Sequence, residues 1–200
     1  MKIIFTAAII NNNYDERMKE YKESLNITNL IAGVENVNIL ECYARKSDIY
    51  ELGNFKNLIY YSDTDITGIK NKGVKEAMEI KKFIDSNKFN DDELIIKQTG
   101  RYKFTSDFFI RSVILNENNK NCDVITRRGE INQCFFGAIG IRFRYLREFI
   151  NNLDLIKMES SMINIESELS EFIQRNKLNE ITYNNIDMFS NINNEHKFNW

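Results

Sequence analysis

Lys97-Gln98-Thr99-Gly100-Arg101-Tyr102 sets two cations around a glycine, directly behind the apolar run Leu94-Ile95-Ile96. Glycine permits a tight turn and close approach of the backbone to a ligand. Lysine and arginine beside it suit a diphosphate, which the arginine can grip through two parallel N–H···O bonds. A turn with incidental charges has the same composition. Asn71-Lys72-Gly73-Val74-Lys75-Glu76-Ala77 opens a helix, where unpaired N–H groups and the positive dipole end favour an anion. Arg17 sits one turn into another helix and would reach a phosphate from there, unless it is simply solvated. Glu41 ends an apolar run; a carboxylate accepts two ribose hydroxyls or a base edge, or makes a surface salt bridge.

Two further acidic positions have a chemical reading. Asp63-Thr64-Asp65 can hold Mn2+ or Mg2+ on a diphosphate, because hard cations take carboxylate oxygens. An acidic solvated loop reads the same way. Met158, Met162, Ile165, Leu169 and Phe172 form an apolar helical stripe with Glu159 and Glu166 along one edge. A carboxylate desolvated beside such a face can act as general base, whereas a boundary acid of a buried helix needs no function. Phe135-Phe136-Gly137-Ala138 combines aromatic faces and small residues that suit a sugar ring, or a packed core.

Several chemistries are disfavoured. His196 is the single histidine and lies in a poorly patterned tail, so a histidine dyad is not expected. There is no Gly-x-Ser-x-Gly elbow, no complete phosphate-binding loop ending in Gly-Lys-Ser/Thr, and no Gly-x-Gly-x-x-Gly. Cys42, Cys122 and Cys134 are far apart and lack metal spacing, so they read as reduced, buried thiols. Lys and Arg total 27 against 29 Asp and Glu, a net charge of −2 that argues against general nucleic-acid binding. The apolar N-terminal run is too short for a membrane span, and no transmembrane segment is expected.

The elements that must carry these groups alternate. Residues 2–10, 37–42, 57–62 and 94–96 read as strands, mostly continuous apolar runs of the kind buried on both faces of a parallel sheet. A helix runs from an N-cap at Asn13 to a stop at Gly33, a short helix precedes the third strand, and another helix spans 71–85. Helices at 107–115, 142–151 and 158–174 and strands at 123–126 and 133–141 follow. The alternation predicts an α/β domain with right-handed crossovers, spanning 1–175, and a C-terminal extension at 176–200.

Arg17-x-x-x-Tyr21-x-x-Ser24-Leu25, Glu41 behind the second strand, Asn71-Lys72-Gly73-x-x-Glu76 and Lys97-x-Thr99-Gly100-Arg101-Tyr102 together resemble small GT-A-type glycosyltransferases. Such enzymes occur in bacterial polysaccharide clusters and large DNA viruses. The resemblance implies a single Rossmann-like nucleotide-sugar domain, a mostly parallel central sheet flanked by helices. It implies a hexosyltransferase-like enzyme of glycan biosynthesis that moves a sugar from a nucleoside-diphosphate donor, a UDP-sugar, to a hydroxyl of a glycan acceptor. Its location would be cytoplasmic, in the host if viral.

In that family an Asp-x-Asp follows the fourth strand, where this chain has Gln98-Thr99-Gly100-Arg101. Either Asp63 and Asp65 move in with Mn2+ or Mg2+, or Lys97 and Arg101 neutralise the diphosphate, with Lys72 and Arg17 assisting. Glu41 would hold uridine or ribose and Glu166 would be the base. The alternatives are a nucleotidyltransferase that makes nucleotide sugars, a non-catalytic nucleotide-sugar-binding module, and an interaction domain without a small ligand.

Overall fold

The structure is a computed structural model that describes residues 1–9, 14–43, 52, 58–62, 66, 68–129 and 133–189. Its first half contains β1 (Lys2–Ile9), α1 (Tyr14–Ala32), β2 (Val37–Tyr43), β3 (Leu58–Ser62), α2 (Lys72–Ser86) and β4 (Leu94–Thr99). Its second half contains β5 (Lys103–Phe104), α3 (Phe108–Asn116), β6 (Val124–Arg127), β7 (Ala138–Arg142), α4 (Phe143–Asn152), α5 (Leu155–Ser161), α6 (Ile165–Arg175), β8 (Glu180–Tyr183) and β9 (Met188–Phe189).

Among the described residues the main sheet has seven strands in the order β3-β2-β1-β4-β7-β6-β8. Only β7 runs against the others, since it pairs antiparallel with both neighbours while every other pair is parallel. This is the expected α/β fold with a mostly parallel central sheet. The continuous apolar runs have the cause inferred for them. Ile3, Ile4 and Phe5 are all fully buried because helices cover both faces. Ile4, Leu40 and Ile95 pack on one face with α2, α4 and α6. Ile3, Phe5, Ile39 and Ile96 pack on the other with α1 and α3. The chain leaves β1 for β2 on one side and returns through α2 to β4 on the other, which opens a crevice at the C-terminal ends of β1 and β4.

Gly33 stops α1 as expected, with a φ of 84° in the left-handed region. The Asn13 cap and the short helix expected before β3 lie outside the described residues. Cys122 and Cys134 are buried free thiols. Among the described residues no helix is long and apolar enough to cross a membrane.

Three expectations about elements need correction. The helix expected at 158–174 is two helices, α5 and α6, broken at Met162, which has a φ of 51°. Asn164 starts the second one by accepting a hydrogen bond from the Ser167 N–H, which outweighs the apolar periodicity across the break. Met162 is therefore 61% exposed and not part of a buried stripe. The strand expected at 133–141 begins only at Ala138, after a turn at Phe136 and Gly137. Finally, Glu180–Tyr183, placed by its fading pattern in an extension, is the edge strand of the main sheet beside β6. Met188–Phe189 likewise pairs with β5.

Candidate active site

Behind β4 the chain turns tightly against β1. The Gly100 N–H donates to Thr6 O at 2.8 Å. A Cβ on Gly100 would lie 2.5 Å from the Phe5 ring and 2.9 Å from Thr6 O. The glycine thus serves the packing of β4 on β1, and its closest approach is to the protein itself.

Lys97 was expected to meet a diphosphate. It is fully buried instead, with its ammonium bonded to Thr99 Oγ1 and Phe136 O, both at 2.6 Å, and to Glu76 Oε1 at 2.7 Å. It also lies 4.0 Å from the centre of the Phe136 ring. Burial pushes its pKa down, and Glu76 acts against that shift. An ammonium has three donors, and all three are used here. Lys97 is the floor beneath a cleft, not a wall of it.

That cleft has a volume of about 370 Å³ and lies at the C-terminal end of β4, between the N-termini of α2 and α6 and the turn before β7. Lys70, Lys72 and Arg101 bring positive charge to it, and Glu76 and Glu166 bring carboxylates. Tyr102, Phe136, Gly137 and Met162 supply aromatic, small and flexible surface. Phe136 and Gly137 of the Phe135-Phe136-Gly137-Ala138 stretch therefore do line the cleft.

The N-termini of α2 and α6 meet at this wall. Asn71 caps α2, its side-chain oxygen accepting from the Gly73 and Val74 N–H groups at 2.9 and 3.3 Å. Its amide donates to Met158 O at 2.9 Å and Ile163 O at 2.7 Å, which ties α2 to the link between α5 and α6. Glu159 accepts from the Lys70 and Asn71 N–H groups at 2.8 and 3.0 Å, and those bonds hold its pKa low. Two N–H groups expected to be open to an anion are thus spent on Asn71. The side chains of Lys70 and Lys72 carry that charge instead. Gly73 is small because a Cβ there would lie 3.0 Å from Ile165 Cβ.

Arg101 projects across the other side. Its Nη2 donates to Tyr102 Oη at 3.2 Å, and its guanidinium lies 5.0 Å from the Tyr102 ring. Its Nε is buried and has no partner among the described residues. Glu76 has one oxygen fixed by three donors, Thr6 Oγ1 at 2.9 Å, Thr99 Oγ1 at 3.1 Å and Lys97. Its other oxygen makes no hydrogen bond among the described residues. Burial raises the Glu166 pKa and Glu76 adds to the shift, while its own backbone N–H, Lys97 and Arg101 oppose it. Two carboxylates thus share one cleft, one of them anchored and the other made more basic.

Lys72, Arg101 and Glu166 therefore converge, with Lys97 beneath them. The remaining predicted residues do not line this cleft. Arg17 pairs with Glu20 at 3.6 Å on α1. Glu20, whose pKa burial raises, feels both Arg17 and Arg101. Glu41 is fully buried on the α1 face of the sheet and accepts the Leu52 N–H at 3.1 Å. Asp63 and Asp65 lie outside the described residues. Among the described residues no three His, Cys, Asp or Glu side chains gather closely enough to hold a metal. Glu159, named along the edge of the apolar stripe, serves as a brace for the start of α2, and Glu76 was not singled out by the sequence. Glu76 stood in the quoted helix motif, three residues after Gly73, which was the signal available.

The fold is similar to that of several solved structures. The fold is similar to a protein from Desulfovibrio desulfuricans described as a nucleotide-diphospho-sugar transferase, at a TM-score of 0.59 and 8% identity over 92% of this chain and 80% of that one. It is similar to a cytidylyltransferase from Leptospira borgpetersenii, at 0.56 and 11% over 96% and 81%. It is also similar to a glycosyltransferase involved in glycosylation of the major capsid of PBCV-1, at 0.52 and 10% over 92% and 82%. No protein-family model matches the sequence, and none of the curated proteins is similar to it.

Proposed function

We propose that the chain is a glycosyltransferase that moves a sugar from a nucleoside-diphosphate donor, a UDP-sugar, to a hydroxyl of a glycan. One observation carries this reading. Arg101, with a buried Nε that has no partner among the described residues, faces the same cleft as Lys72 and the carboxylates of Glu76 and Glu166. A cation held ready in a partly dry cleft stabilises charge that develops during reaction, usually the largest catalytic contribution. Here the developing charge is that of the leaving diphosphate, with Arg101 and Lys72 beside it.

The acceptor oxygen attacks the anomeric carbon as the bond from that carbon to the diphosphate breaks. The electron pair leaves with the diphosphate, and the acceptor proton passes to the Glu166 carboxylate. A raised pKa suits that base, because its carboxylate binds the proton more strongly. The unbonded oxygen of Glu76 accepts a sugar hydroxyl. Lys97 acts through Glu76 and Thr99, which it positions from below.

Arg101→Ala is expected to lower transfer about 10²–10³-fold, the effect of losing one such donor, with an unchanged melting temperature. A normal transfer rate in that variant sinks the assignment. Because Lys97 is committed elsewhere, a divalent ion on Asp63 and Asp65 is the other route to neutralising the diphosphate. EDTA sensitivity reversed by Mn2+ would assign the charge to that ion. A nucleotidyltransferase is the second reading, since such folds are among the similar structures. It is disfavoured because Asn11-Asn12-Asn13 follows β1 in place of a Gly-rich segment with Arg and Lys. Pyrophosphate release from a nucleoside triphosphate and a sugar phosphate would decide for it. UDP binding without turnover across many acceptors would decide for a binding module.

A further inference from the structure

A second arginine at the same sheet edge also has a buried Nε without a partner among the described residues. Arg127 ends β6 and is 9% exposed. Among the described residues its guanidinium makes no hydrogen bond or ion pair, and its Nε is buried without a partner. Its guanidinium lies 5.6 Å from the centre of the Phe135 ring. Phe135 meets Tyr102 edge-on at 5.0 Å. Tyr102 lines the cleft and carries Arg101 over its own ring. The two arginines therefore bracket one pair of aromatic rings.

Nothing described on the neighbouring strand neutralises Arg127. Glu180, the nearby acid on β8, is spent on Arg128 at 2.6 Å and on Thr126. The register partner of Arg127 is Tyr183, whose hydroxyl is shared with Ser112 at 2.6 Å. Burial alone pulls the Arg127 pKa down, with no opposing group. A buried cation without a counter-charge is costly. Arginine pays that cost usefully when a planar oxyanion arrives to meet its fork of donors.

We propose that Arg127 is the subsite for an oxyanion, phosphate or carboxylate, carried by the acceptor. This rests on reading the cleft as the transfer site. Arg101 then serves the donor diphosphate, while Arg127 takes the acceptor's charge beyond the Tyr102–Phe135 pair. The two anionic ends of the reacting complex are kept apart by two rings.

The test uses the full chain labelled with nitrogen-15, with inorganic phosphate and acetate as separate probes. The Arg127 Nε–H resonance, assigned by its loss in Arg127→Met, is expected to move saturably with one of them. Which probe saturates it distinguishes phosphate from carboxylate. Arg127→Met should weaken binding of that probe at least tenfold, and Arg101→Met should leave the Arg127 shift in place. In buffer free of phosphate and carboxylates, Arg127→Met should melt no lower than the parent chain, because the charge removed has no partner. Arg127→Lys should keep part of the binding. An Arg127 resonance that stays still, or drifts linearly with both probes, overturns the proposal. So does a markedly lower melting temperature for Arg127→Met, which would make the residue structural. If UDP fails to perturb the cleft while Arg127 still saturates, the transfer reading fails and the anion site stands.

Discussion

Among single residues, the divergent environments of Glu76 and Glu166 have consequences for pH. Burial raises the Glu166 pKa above the ordinary 4.5, so the fold favours its neutral form. The stability from that neutral carboxyl is present in full below the unfolded pKa and is lost as pH rises through the folded one. Glu166→Gln, which is neutral at every pH, is expected to melt higher than the parent at pH 7–8, with the gap closing below about pH 4. Melting curves at the two ends of this range check it, and a constant gap would contradict the shift. The residue types at this site were legible in the sequence, since Lys72, Arg101 and Glu166 all reach the cleft. The availability of Lys97 and Glu41 was not legible. Both are polar residues at strand ends, and burial depends on what the rest of the chain lays over them.

Between elements, Asn71 is the joint. It caps α2 and binds two carbonyls of the α5–α6 link, so it holds both helix N-termini against the cleft. Asn71→Ala loses the cap and strands the Ile163 carbonyl, while Met158 O keeps its bond from the Ile163 N–H. The expected cost is about 2–4 kcal/mol, read from denaturant unfolding, with weaker nucleotide binding in the same variant. A cost below about 0.5 kcal/mol would mean that water replaces these bonds readily. The cap was predictable, because Asn before a helical apolar pattern is a strong start signal. Its second role was not, because Met158 and Ile163 lie 87 and 92 residues away in sequence. The broken stripe at Met162 has a similar origin. Periodicity ran through the break, whereas the Asn164 cap and the packing of Ile165 on Gly73 decided where the second helix begins.

At the scale of the whole molecule, β8 forms one edge of the main sheet. β8 runs beside β6 over four register pairs, and Glu180 binds Arg128. Asn179 donates to Asp123 from its backbone and its side chain, both at 3.0 Å. A chain ending at residue 175 is expected to melt at least about 6 °C lower, equivalent to about 2 kcal/mol at this size. An unchanged melting temperature would show the edge strand to be dispensable. Because β8 lies next to Arg127, the same truncation should also disturb the oxyanion subsite while leaving the wall formed by α2 in place.

The alternation of buried strands and capped helices follows from local sequence. Apolar runs need cover on both faces, and Asn71 and Gly33 stop or start helices through their own backbone and side-chain geometry. That was enough for the α/β class, the strand succession to β4 and the edge of the sheet where a ligand site opens. Which charges stand free at that edge was settled only by tertiary packing. A buried lysine with three hydrogen-bond partners and a buried arginine with none among the described residues read alike in sequence. Their difference lies in how the folded chain surrounds each one, as in the bond from Lys97 to Phe136 O, 39 residues away.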